Sequence, residues 1–256
     1  MQVDLNCDMG ESFGAWRLGA DGAVLPHVTS INIACGFHAG DPSVMHATVA
    51  AAVVHGVAIG AHPGLPDLAG FGRREMSVTA SEVYDLVAYQ VGALQGIATA
   101  AGATVQHVKP HGALYTMAAI HAPLADAIAR AIADVNPALA LYGLSGSALI
   151  SAGLDAGLRT VSEAFADRRY HADGTLVPRS DAAAMITSTI DATAQALGMV
   201  TSGTVHAIDG AIVHLVAETI CIHGDAPGAA VIAQHLRTAF HGAGVSVRAP
   251  SATTHA

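Results

Sequence analysis

The chain has 256 residues, of which 52% are hydrophobic and 12% charged. That balance suits one large α/β domain, because a parallel sheet covered on both faces needs many apolar side chains and few charges. With 20 acidic against 11 basic residues, the formal charge of −9 argues against nucleic acid or an anionic membrane as partner.

The opening "MQVDLNCDMGES" has neither a basic stretch nor an apolar run of signal-peptide type. It begins with a predicted strand, "QVDLNCD", whose alternation places Asp4, Asn6 and Asp8 on one face and Leu5 and Cys7 on the other. A second strand, "TSINIAC", runs into "GFHAG" and then a helix. Asp41 is its expected N-cap, Pro42 its first helical residue and Gly56 its left-handed stop. From Pro42 to Pro66 there is no Asp, Glu, Lys or Arg, and the mean hydropathy is +0.46. His46, His55 and His62, with Gly56, Gly60, Pro63 and Gly64, nevertheless suit a buried helix and strand better than a membrane span of about 20 apolar residues.

The strand "GVAIGAH" and a Gly/Pro-punctuated loop (62–75) follow. Thr79 and Glu82 then form a predicted capping box for a helix that ends near Gly102. Strands "TVQHVKPH", "LALYG" and "LRTVSE" alternate with predicted helices over 122–135 and 145–156. A second long loop (165–180) leads to a predicted helix over 181–199. Asp209-Gly210, flanked by alternating runs, is a two-residue hairpin signal within 204–215. The strand "TICIHGD" and a helix over 227–241 complete the pattern. About seven β-α units predict a distorted parallel (β/α) barrel, with an open doubly wound sheet as the alternative. The barrel domain is expected over 1–250, with 251–256 as a flexible tail.

Chemistry gathers where the strands stop. In order, their ends carry Asp8, Cys35 ahead of His38, His62, Lys109 with His111, Glu163, and His223 with Asp225. Parallel barrels bind ligands at the carboxyl ends of their strands, because side chains from several strands converge there. Asn6 joins this set through the first strand's polar face. Asp41 reads as a cap rather than a ligand, and His46, His55, His235 and His241 as residues of helix surfaces or packing. The cysteines Cys7, Cys35 and Cys221 form no C-x-x-C pair and are expected as reduced, packed thiols of a cytoplasmic protein.

Lys109 is the only lysine among eleven basic residues. A chain that otherwise uses arginine and keeps one lysine suggests a task for a compact ammonium. Arg73 and Arg74, and Arg168, Arg169 and Arg179, are candidates for holding a carboxylate or phosphate; Arg168 and Arg179 are favoured, since they share a loop with Asp167. No phosphate-binding P-loop, dinucleotide fingerprint, nucleophile elbow or zinc-type cysteine pair is present.

At "DLNCDMGESFGAW", "NIACGFHAGDPSVM", "GVAIGAHPGLPDLAGFGRR", "QHVKPHGALY", "FADRRYHADGTLVPRS" and "TICIHGD" the chain closely resembles the LamB/YcsF family of 5-oxoprolinase components. One departure is Arg169, where the family pattern has glycine. The resemblance implies a glycoside hydrolase/deacetylase-like barrel and ATP-dependent opening of 5-oxo-L-proline to L-glutamate. It further implies ATP, with Mg, as co-substrate of a complex with partner subunits B and C. On that reading Asp8 or Glu163 is the general base, and Lys109 with His111 stabilises the oxyanion or a phosphorylated intermediate. Asn6, His38, His62, Arg168, Arg179, His223 and Asp225 bind substrate. Two alternatives remain open: a metal-dependent amidohydrolase or deacetylase built on Asp8, His38 and His62, and a regulatory component without catalysis of its own. Each of the three readings is compatible with a homo-oligomer.

Overall fold

A computed structural model of the chain describes residues 1–223 and 228–250. Ten strands occur in it: β1 (Gln2–Met9), β2 (Ser30–Ala34), β3 (Ala58–His62), β4 (Val105–Val108), β5 (Ala140–Leu144), β6 (Thr160–Phe165), β7 (Thr204–His206), β8 (Ile212–His214), β9 (Thr219–Ile222) and β10 (Ser246–Val247). The helices are α1 (Asp21–Val24), α2 (Pro42–His55), α3 (Ala80–Ala100), α4 (Gly112–Ile120), α5 (Ala122–Val135), α6 (Ala148–Asp155), α7 (Thr189–Ser202) and α8 (Ala229–Gly242).

Seven strands close a ring. The order runs β1-β2-β3-β4-β5-β6-β9, and β9 pairs with β1, every contact being parallel. The barrel is therefore closed rather than an open sheet. Short β10 adds to the beginning of β1 through Gln2 and Val3. The antiparallel pair β7-β8 stands apart as the expected hairpin. Its loop is wider than two residues: Ala207 N–H donates to Ala211 C=O, and Gly210, at φ 88°, N–H donates to Ala207 C=O. Ile208, Asp209 and Gly210 thus form a three-residue loop with a left-handed glycine, which fits the twist of the pair.

The caps obey local chemistry. Asp41 Oδ1 accepts from the backbone of Ser43 (2.8 Å) and Val44 (2.9 Å), and Gly56 takes φ 64°. Such a cap stabilises a helix by about 1 kcal/mol. Thr79 and Glu82 make the reciprocal capping box. Two segments differ from expectation. Helix α7 begins at Thr189, not 181, because residues 168–186 are held in loop pairings (Arg168 with Met185, Tyr170 with Leu176) and Ser188 supplies the cap. Helix α4, with no side-chain cap, adds a helical segment directly after the fourth strand.

Alternation along β1 divides two environments. Leu5 and Cys7 pack outward with Ile31 and Ile33 into the apolar layer under the helices. Asp4, Asn6 and Asp8 point into the barrel, which is polar and stacked in layers. At the bottom, Asp4 accepts from Thr29 (2.6 Å), Ser30 (2.6 Å) and Thr219 (2.7 Å). In the middle, Asn6 donates to Glu163 (2.9 Å) and Asn32 donates to Asn6 (2.8 Å). His107 belongs to this layer, stacked on Tyr142 with centroids 4.1 Å apart. Its ring occupies the space a Cβ on Gly60 would need, which accounts for the glycine in "AIGAH". Buried polar groups are stabilised by hydrogen bonds, and Thr219, which donates to Asp4 and accepts from Asn6, links the two layers, while Asn32 joins Asn6 to His107. Among the described residues no helix is long and apolar enough to cross a membrane.

Candidate active site

The top layer is charged. Lys109, at the end of β4, is buried, and its Nζ lies 2.8 Å from Glu163 Oε1, 3.0 Å from Asp8 Oδ1, 3.0 Å from Cys221 Sγ and 3.2 Å from Asn6 Oδ1. Burial works against its charge, but Asp8, Cys221 and Glu163 outweigh that and hold the ammonium well above the usual lysine range. Asp8 is likewise opposed by burial, yet His62 and Lys109 hold its carboxyl well below the usual range. Lys109 is thus a fixed cation and Asp8 a fixed anion at neutral pH.

Beside this pair stand three imidazoles. His62 Nε2 is 3.3 Å from Asp8 Oδ2 and 2.9 Å from His111 Nδ1. His38 stacks on His111, with centroids 3.7 Å apart and planes within 4°. Burial pushes the proton affinity of both His38 and His111 well below that of a free imidazole. The loop after β3 delivers this packing through glycine. A Cβ on Gly64 would stand 2.5 Å from the His38 ring, and one on Gly112, at φ 54°, would stand 2.5 Å from the Gly72 carbonyl. Phe71, between them, holds φ 56°, a left-handed conformation that a bulky residue adopts only when its surroundings impose it.

A cavity of about 810 Å³ opens above these groups, within the range of ligand pockets. Asp8, His62, Lys109, His111 and His223 line it, with Phe165 and Tyr115 as apolar wall and Arg73, Arg168 and Arg179 around it. His223 Nδ1 is 2.9 Å from Asp167 and its ring stacks on Phe165 (5.6 Å), so one carboxylate fixes it. Asp167 itself is opposed by burial and lowered by His223 and the two arginines. Arg168 is buried, donates from Nη2 to the Val177 carbonyl (2.6 Å), and is pulled down to about 10 by burial and by Arg179. Arg179 is exposed at the rim. Arg74 turns away to pair with Asp67. The departure at Arg169 is accommodated without strain, since its backbone is outside the left-handed region.

Several residues expected to bind or act on substrate occupy other places. Asn6 and Glu163 are fully buried beneath Lys109 and are not among the cavity's lining, so they support the lysine rather than touch a ligand. His38 is also absent from that lining and sits behind His111. Asp8, His38 and His62 are neighbours, but Asp8 Oδ1 is drawn to Lys109 and Asn32. The donors that converge with His38 and His62 are Glu11 and His111. Asp225 lies outside the described residues, as does the expected tail at 251–256. Two further positions escape sequence reasoning. Glu11 follows Gly10 past the end of β1, where its carboxylate looks like an ordinary surface charge. Asp167 reads in the sequence only as a neighbour of arginines, and its partner His223 is 56 residues away.

The chain is similar in sequence and in fold to several known proteins. A protein from Bordetella pertussis, described as the A component of 5-oxoprolinase, is 61% identical over 247 residues, covering 96% of this chain and 98% of that one. A Bacillus subtilis protein of the same description is 56% identical over 250 residues, covering 98% and 97%. The crystal structure of a lactam utilization protein from Thermus thermophilus superposes with a TM-score of 0.92 at 48% identity, covering 98% of this chain and 100% of that one. A putative cellobiose-phosphate cleavage protein from Enterococcus faecalis shares only the fold, with a TM-score of 0.55 at 16% identity. The sequence pattern of the LamB/YcsF family spans residues 3–255, and the chain belongs to that family.

Proposed function

We propose that the chain is the component of an ATP-dependent 5-oxoprolinase at which the lactam of 5-oxo-L-proline is opened to L-glutamate, acting with partner subunits B and C. The observation that carries this reading is the Asp8–Lys109 pair at the floor of an arginine-rimmed cavity. The relatives' descriptions, which name a 5-oxoprolinase and a subunit of it, support this reading.

A five-membered lactam is a stable amide whose carbonyl carbon is a poor electrophile. Transfer of a phosphoryl group from ATP to its oxygen, with Mg, makes that carbon attackable and supplies the driving force. The chain's own residues then divide the work. Arg168, with Arg179 at the rim, fits the α-carboxylate of the substrate or the added phosphoryl group, through charge-assisted hydrogen bonds. Lys109 places a permanent positive charge beside the oxygen that carries the phosphoryl group, offsetting that group's negative charge through the reaction, and His111 stands beside it on the same wall. Asp8 accepts the hydrogen bond of the attacking water. As a carboxylate of low basicity it takes the proton only as the new C–O bond forms. As the tetrahedral centre collapses the ring C–N bond breaks, and the nitrogen leaves as the amine with the proton that Asp8 took from the water. A second water then cleaves the remaining acyl phosphate to the side-chain carboxylate of glutamate and inorganic phosphate. Glu163 keeps Lys109 charged from below and is a positioning residue.

A purely regulatory role would not require a buried ion pair facing a cavity, because burying charges is costly unless they are used or fully compensated. The test is glutamate release from 5-oxoproline and ATP, with this chain alone and then with subunits B and C. Release that requires this chain in the reconstituted mixture is the expected result; equal release without it overturns the reading.

A further inference from the structure

Behind the cavity wall, hydrogen bonding fixes the protons of two imidazoles. His62 Nδ1 lies 2.7 Å from the Lys109 carbonyl oxygen, and His111 Nε2 lies 2.8 Å from the Phe71 carbonyl oxygen. A carbonyl only accepts, so each of these nitrogens carries the ring's proton. In neutral rings that leaves His62 Nε2 and His111 Nδ1 as bare lone pairs, and they face each other at 2.9 Å. Two lone pairs at that distance repel. Something electrophilic belongs between them, either a shared proton or a metal ion.

The surroundings favour a metal. Glu11 Oε1 lies 3.8 Å from His111 Nδ1 and 3.6 Å from His38 Nε2, too far for hydrogen bonds but suited to ligands around one centre. Ligands held at about 2.0–2.2 Å from a tetrahedral ion stand about 3.3–3.6 Å apart. One donor atom from each of Glu11, His38, His62 and His111 falls within 4.8 Å of all the others. His38 is wholly buried, and neither of its ring nitrogens has a hydrogen-bond partner. Burying an imidazole so is costly unless a ligand takes its lone pair. A shared proton between His62 and His111 would explain neither His38 nor the approach of Glu11. Backbone carbonyls bound to the far nitrogens are also the support that metal-ligating histidines have.

We propose that Glu11, His38, His62 and His111 bind one divalent transition-metal ion, of the zinc or cobalt kind, at the inner wall of the cavity. Three imidazoles and a carboxylate suit such ions and not magnesium or calcium, which take oxygen ligands. The ion would lie next to Asp8, since His62 Nε2 is also 3.3 Å from Asp8 Oδ2. The proposal does not depend on the lactam reaction, because it rests on the donor geometry alone.

The test uses the full-length chain after chelation and dialysis, titrated with Co²⁺ and separately with Zn²⁺. Calorimetry, the visible cobalt spectrum and thermal unfolding serve as readouts. One ion per chain, a tetrahedral cobalt spectrum and a raised Tm with metal are expected. Glu11→Gln, which keeps the side chain's shape, and His38→Ala are each expected to weaken binding by at least about 100-fold. Circular dichroism separates loss of binding from loss of fold, and the wild-type titration needs no variant. No binding by the wild-type chain overturns the proposal. So does unchanged affinity in Glu11→Gln, or a thiolate-to-cobalt band abolished by Cys221→Ser. That last result would place the ion at the neighbouring Asp8, Cys221 and His223.

Discussion

The two ends of the barrel carry cavities of similar size and opposite character. The one at the strands' carboxyl ends measures about 810 Å³, and the one at their amino ends, beside Val28, Ala58 and Gln106, about 740 Å³. The lower cavity's ionisable neighbours, His55, Arg237 and Arg248, lie at the surface and are water-screened. The upper cavity rests on Asp8, Lys109, His62, His111 and His223, all buried. Volume therefore does not distinguish the ends; buried charge does. The cause is topological. In a ring of parallel strands every βα loop opens on one side, so functional groups from distant sequence positions collect at that end only.

The sharpest way to break the contrast is Lys109→Met. Glutamate release by the reconstituted complex should fall by about 10²–10³-fold or more, the loss of a charge that stabilises the transition state. Lost stability should accompany it, because Asp8 and Glu163 would be left as buried carboxylates without their cation. Near-normal turnover would remove Lys109 from the chemistry. Arg168→Ala should raise KM by about 10–100-fold with kcat less affected, as expected for one charge-assisted hydrogen bond to substrate. Partial rescue by Arg168→Lys would separate charge from packing. Glu163→Gln should lower kcat by about tenfold, about 1.4 kcal/mol of barrier. It should also move the alkaline limb of the pH profile downward, because Lys109 loses a group that holds its proton. A merely structural Glu163 would leave that limb in place.

A smaller effect concerns stability. Burial, followed by the Lys109 charge, lowers His107 from 6.5 to about 3. As pH falls, the unfolded chain gains this proton before the folded one does. Stability associated with the neutral ring is therefore present above pH 6.5 and lost progressively toward pH 3. Urea unfolding at several pH values should show a shallower acid decline in His107→Gln than in the parent chain. The smallest effect belongs to the lower end: Arg237→Ala should leave turnover within about twofold and stability within about 0.5 kcal/mol, as exposed charges generally do. A large loss of activity there would overturn the distinction between the ends.

Much of this arrangement was readable in residue order. The caps at Asp41 and Thr79, the seven strand runs and the glycine stops follow from local rules, because each depends on a few adjacent residues. The polar face of β1 was equally visible, since alternation alone separates Asp4, Asn6 and Asp8 from Leu5 and Cys7. The late start of α7 was not. Residues from 181 onward read as helical, but backbone pairings with the loop from β6 compete successfully up to Met185. Depth along the barrel was also hidden. Asn6 and Asp8 share a face, yet two residues of rise put one beneath Lys109 and the other at the cavity floor.

Sequence by itself determined that this chain alternates strands and helices, keeps one lysine, and ends its strands in ionisable groups. Tertiary structure decided which of those groups meet. Closure through the β1–β9 pairing brings Cys221 to Lys109, and the glycines of the loop after β3 leave room for His38, from the loop after β2, to stack on His111. The physical reason is that local preferences act over neighbouring residues, whereas proximity and the electrostatics it creates depend on ring closure, strand register and burial. Glu11 and Asp167 gained their partners only there.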